Sequence, residues 1–155
     1  MKKSMSTCLL CFAAATSFAA AAAEPLARFQ DGIGVQPLRG GAVPNVVQGV
    51  NPAGLPWVIS QLSADASTDG RIRVDGRGLL LAGGNGIGTP AGQSVLARLL
   101  CDGVPHDSEL VPLDTRGDFR IDSFVNPFPP AVCVSPVLLI VNGGGTWFAA
   151  GIPKH

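Results

Sequence analysis

The sequence predicts an all-β domain, an antiparallel β-sandwich of about seven strands. Three observations carry this expectation. Short runs that alternate apolar and polar residues recur between Pro56 and Ala150, the pattern of half-buried strands. Turn-forming residues separate them, with 20 Gly and 13 Pro in 155 residues. No apolar stripe of helical spacing runs for any length. An immunoglobulin-like Greek-key order is compatible with this pattern. However, no Trp lies between Cys101 and Cys133, where an immunoglobulin domain would pack one, so a sandwich rather than a true immunoglobulin domain is expected. A small closed barrel is the alternative.

Residues 1–23 read as a cleavable secretory signal. Lys2 and Lys3 form a basic start, Cys8 to Ala15 opens an apolar run, and Ala21-Ala22-Ala23 precede Glu24 as a small-residue cleavage site. Thr16, Ser17 and the many weakly apolar Ala residues argue against a membrane anchor, which needs about 20 strongly apolar residues. Leu10 stands where a lipoprotein signal needs a small residue before Cys11. The expected location is therefore periplasmic or secreted, with no membrane span after cleavage. Without Lys2 and Lys3, nine basic residues face eleven acidic ones, a net charge of −2. With no basic cluster, the chain lacks the electrostatic footprint of a nucleic-acid binder. The remaining chain, roughly 130 residues, is one domain by length.

Residues 24–55 are rich in Gly and Pro and read as an extended leader, with one strand near Ala42 to Val50. The β-sandwich domain then spans 56–155. Trp57-Val58-Ile59 opens a β-prone run, and Asp69-Gly70 marks a hairpin turn. Arg71-Ile72-Arg73-Val74-Asp75 alternates, breaks at Gly76-Arg77-Gly78 as a bulge would, and resumes at Leu79. Gly83 to Gln93 is a long loop. Ser94 to Cys101 is the next strand, with Val95, Ala97, Leu99 and Cys101 on one face. Glu109 to Leu113 and the alternating run from Phe119 follow. Val132 to Val141 is the most apolar run of the mature chain and reads as a buried central strand. Pro136 requires an edge, a bulge or a strand that begins only at Val137. Thr146 to Ala150 closes the domain.

Two of the four cysteines leave with the signal, and the remaining Cys101 and Cys133 are expected to pair in an oxidising compartment. Closing a loop of this length is worth roughly 3 to 4 kcal/mol in the chain-entropy model. No catalytic, cofactor or metal constellation emerges. His106, Asp107 and Ser108 are too close in sequence to converge as a hydrolase triad, and they read as a solvated loop. A metal site built from His106 with Asp107 or Glu109 is the sharper alternative. Asn85, in the glycine-rich stretch from Gly83 to Gly88, marks a second ligand-loop candidate. No helix follows that stretch to offer its N-terminus to a phosphate. Asp65, Asp69 and Asp75 flank a hairpin without the order of a calcium loop. Arg116-Gly117-Asp118 spells an adhesion tripeptide within ordinary turn chemistry. Trp57 and Trp147, the only two tryptophans, sit in apolar runs and read as core rather than as a sugar platform.

The stretches Gln48 to Val58, Val95 to Cys101, Gly117 to Ile121 and Cys133 to Ile140 resemble a group of small exported bacterial proteins of unknown function. The resemblance covers most of the mature chain. It implies a shared secreted fold with Cys101 paired to Cys133, and it implies no activity. The expected function is a secreted or periplasmic binding or envelope-associated module whose ligand or envelope partner is unidentified. The alternatives are a metal-dependent binder or enzyme using the His106 segment, and a carbohydrate-binding module.

Overall fold

The computed structural model describes residues 23–38 and 45–154. The signal reading, apart from residue 23, lies outside these residues, as does the stretch 39–44 of the leader. Among the described residues eleven strands are present: β1 (Pro25–Gly34), β2 (Trp57–Val58), β3 (Gln61–Ser67), β4 (Arg71–Arg77), β5 (Leu80–Leu81), β6 (Ser94–Cys101), β7 (Val104–Asp107), β8 (Val111–Pro112), β9 (Phe119–Phe124), β10 (Val137–Asn142) and β11 (Trp147–Pro153). The all-β antiparallel fold read from the alternation is the fold observed.

Alternation decides which way each strand faces. Leu62, Ala64 and Ala66 of β3 are buried, as are Ile72, Val74 and Gly76 of β4. Phe119 and Ile121 of β9 are buried, while Arg120 and Asp122 point to solvent. The register aligns these faces, with Ala64 opposite Val74 and Val74 opposite Ile121. Across the molecule Ala97 pairs with Ile140 and Leu99 with Leu138. All four are fully buried. A one-residue slip in any of these pairs would turn the apolar set outward, so burial itself fixes the register.

The main sheet runs β7-β6-β10-β11-β1-β3-β4-β9, with β8 also paired to β6. It curls until its two ends meet. Beyond β9, Asn126 exchanges both backbone hydrogen bonds with Asp107 of β7, each at 2.9 Å. The two halves of the curled sheet therefore face one another across a shared core, a sandwich-like arrangement. The small β2–β5 pair sits at one end. There Trp57 stacks on Phe148 with ring centroids 4.1 Å apart and planes 10° from parallel.

Three expectations are corrected, and one open alternative is decided. The leader reading fails for Pro25–Gly34, which is β1 and is paired on both sides, to β3 and β11. Its glycines meet neighbours closely rather than loosening the chain. A Cβ at Gly34 would collide with the backbone of Trp57, and one at Gly32 would meet Leu62 at 2.9 Å. Within residues 45–50 of the leader, Val47 and Val50 form only an isolated bridge. The apolar run from Val132 takes the last of the options that Pro136 left open: β10 begins at Val137, and Val132 and Val134 are 71% and 63% exposed. The segment with His106 and Asp107 is a strand, β7, not a solvated loop. Finally, the described residues hold more strands than the seven or so expected, because β1 and β7 carry weak local signals, whereas the two-residue strands fall in runs read as strands.

Candidate functional site

His106 points into the core beside its register partner Leu99 and is only 3% exposed. Its Nδ1 lies 2.7 Å from the carbonyl oxygen of Pro127. A carbonyl can only accept, so Nδ1 donates this hydrogen bond. Nε2 is buried and has no hydrogen-bond partner. Asp107, one residue on, faces the other way and forms a bidentate pair with Arg98, both contacts at 2.7 Å. The hydrogen bond to Asp107 also raises the pKa of Arg98. The Ser108 hydroxyl accepts the N–H of Ala97 and donates to the carbonyl of Glu109, both at 2.9 Å. Strand alternation thus sends His106 and Asp107 to opposite faces, and each side chain is engaged in holding the fold. The structure does not bring them together as a triad.

The other sequence candidates are also accounted for. Asn85 sits exposed at the tip of a loop that is tied by its own backbone bonds, Gly88 N to Leu81 O and Leu81 N to Thr89 O. Asp65 pairs with Arg28, Asp69 accepts the N–H of Arg71, and Asp75 pairs with Arg77 and Arg120. These aspartates therefore serve separate partners. Among the described residues no group of three His, Cys, Asp or Glu side chains is gathered to hold a metal ion. In Arg116-Gly117-Asp118, the Asp118 carboxylate accepts the N–H of Gly78 at 2.9 Å and pairs with Arg77 and Arg116, so it is occupied within the fold. Trp57 and Trp147 are buried. Cys101 and Cys133 form a disulfide with Cα atoms 5.1 Å apart.

The outer face of β1, β3, β4 and β9 is a charge lattice. One row reads Arg28, Asp65, Arg73, Asp122 across the four strands. The neighbouring row aligns Ser63, Asp75 and Arg120. Opposite charges directly across a strand pair attract, and like charges would repel. The lattice holds carboxylates ionised. Hydrogen bonds from Arg120 and Arg77 lower the pKa of Asp75, and the hydrogen bond from Arg71 lowers that of Asp122. At the turn before β9, Asp114 is lowered first by the backbone N–H of Asp118. A trough of about 220 Å³ runs over this lattice, lined by Ser63, Asp65, Arg73, Asp75, Arg120 and Asp122. Each of its two cations already faces a carboxylate, Arg73 with Asp122 and Arg120 with Asp75.

A larger cleft, about 490 Å³, opens beside the disulfide. Leu26 and Arg28 of β1, Pro136 and Val137 at the start of β10, and Pro153 and Lys154 at the end of β11 line it, with Cys133 alongside. Sequence reasoning missed this site because it set β1 aside as leader. The alternation of Ala27 and Phe29 (inward) with Leu26, Arg28 and Gln30 (outward) was the available signal. Among the described residues no helix is long and apolar enough to cross a membrane. The chain matches no protein-family model, no curated protein and no solved structure.

Proposed function

We propose that this chain is an exported β-domain that acts as a binding or envelope-associated module. One observation carries the reading. The reactive side chains of the His106-Asp107-Ser108 segment are bound into the fold, whereas the cleft beside the disulfide is open and lined by apolar walls and cations. Concave, largely apolar surfaces with a few polar groups are the usual form of a ligand site. The Cys101–Cys133 disulfide suits an oxidising compartment outside the cytosol. The resemblance to small exported bacterial proteins supports the same location. The carbohydrate reading draws no support from the tryptophans, since both indoles are buried.

The test is a fractionation of cells producing the full chain. The protein is expected outside the cytosol, with its N-terminus at Glu24, and it co-sediments in part with isolated envelope. Recovery in the cytosol with Met1 to Ala23 attached would overturn the export reading. Export with no affinity for envelope or for any small ligand would overturn the binding reading.

A further inference from the structure

The geometry points to the cleft beside the disulfide as a site for a single-chain amphiphilic carboxylate, a molecule with one anionic head and one apolar tail. This rests on the binding-module reading and names its ligand class. The cleft lies within the volume range of small-molecule sites, which is roughly 300 to 1,000 Å³. Three adjacent strands, β10, β11 and β1, build it. Part of its wall is therefore held by sheet hydrogen bonds, and the segment with Cys133, Ser135 and Pro136, anchored by the disulfide, forms the rest. Leu26, Pro136, Val137 and Pro153 supply apolar surface.

Two cations share its rim. The backbone N–H of Lys154 donates to the carbonyl of Arg28 at 2.9 Å, which extends the β11–β1 pairing by one residue and sets the two side chains on neighbouring strands. Among the described residues no carboxylate stands within ion-pair distance of Lys154. Arg28 pairs only with the exposed Asp65, at 3.2 Å. The lining includes no Asp or Glu. Lys154 thus differs from the cations of the charge lattice, Arg28 among them, each of which faces an anion. An anionic head completes the electrostatics of this rim, and a tail covers its apolar wall. A bilayer is the weaker partner. Without residues 1–23 the chain has a net charge of −2, and two cations beside a small concavity do not form the broad basic surface that draws a protein to anionic lipid.

The experiment is isothermal titration of the processed protein with sodium decanoate, sodium acetate and decyltrimethylammonium, with Lys154→Glu and Arg28→Gln as variants. Decanoate is expected to bind saturably at one site, and acetate not at all. Lys154→Glu should weaken decanoate at least tenfold and admit the decyl cation. Thermal melts of both variants check that they remain folded. Absence of saturable decanoate binding, equal binding of the anionic and cationic decyl probes, or an unchanged Lys154→Glu variant would each overturn the proposal. So would binding to phosphatidylglycerol vesicles without binding to decanoate. Envelope co-sedimentation is measured on the same samples. If it persists while decanoate fails, the ligand class is wrong and the binding-module reading stands.

Discussion

The ring of Phe119 lies directly over the bare Cα of Gly76, its register partner across β4 and β9. A Cβ at position 76 would overlap the ring. The glycine, read from sequence as the site of a bulge, therefore remains paired within β4 and makes room for an aromatic side chain on the core face. Gly76→Ala is expected to destabilise the domain by about 1 to 3 kcal/mol through overpacking. Combining it with Phe119→Leu should cost less than the sum of the two single changes, because the ring that clashes is gone. Urea unfolding of the four proteins in this cycle measures the coupling; strict additivity would show that the two residues do not share the space.

The disulfide joins residues 32 apart in sequence. Replacing Cys101 and Cys133 together by Ser should lower stability by about 3 to 4 kcal/mol, chiefly by loosening the unfolded chain's constraint. The oxidised wild type should be two protons lighter than its reduced form by intact mass, with no thiol open to alkylation. A denaturation midpoint unmoved by reductant would contradict this.

His106→Ala removes a buried ring and leaves the Pro127 carbonyl without its donor. The combined cavity and unpaired acceptor should cost roughly 2 to 4 kcal/mol. The loss should be felt locally first. The amides of Asp107 and Asn126, which bond each other across the closure of the sheet, are expected to exchange with deuterium faster than those of β3. Uniform exchange across the domain would argue that the ring does not anchor this seam.

Three carboxylates link stability to acid. Asp75, Asp114 and Asp122 have pKa values below the ordinary aspartate value in the folded chain, through hydrogen bonds from Arg120, from the Asp118 N–H and from Arg71 respectively. A lowered folded pKa means that the unfolded chain binds protons first as pH falls. The stabilisation is complete well above the unfolded value, about 3.9, and is lost on acidification through and below it. The melting temperature should therefore hold between about pH 7 and 5 on account of these groups and drop below about pH 4. Asp75→Asn should flatten part of that acid limb and lower stability at neutral pH by about 1 kcal/mol or less, since its partners are largely solvated.

Local chemistry made part of this architecture legible. β6 spans Ser94–Cys101, the residues its alternation marks. The β3–β4 hairpin turns at Asp69-Gly70, where Gly70 has a φ of +81° and the Asp69 carboxylate accepts the Arg71 N–H. Both signals lie within a few residues of sequence. β1 was hidden because Gly32 and Gly34 resemble loop punctuation, although each is required by a close approach of Leu62 or Trp57. β7 was hidden because Pro105 and Asp107 look like surface residues, and the burial of His106 depends on Pro127, 21 positions away. The cleft draws on both ends of the domain, Leu26 and Lys154 included, and no local pattern announces it.

The pairing of β1 with β11 sets the order of events in folding. Gly32 lies opposite Gly151, so the earliest strand of the domain finds a permanent neighbour only in the latest. Until β11 has emerged, one side of β1 has no partner and the curled sheet is severed in its middle. Contacts of such high order form slowly, because a long loop must close before any pairing rewards it. The domain therefore cannot complete its sheet while its C-terminal strand is still being made.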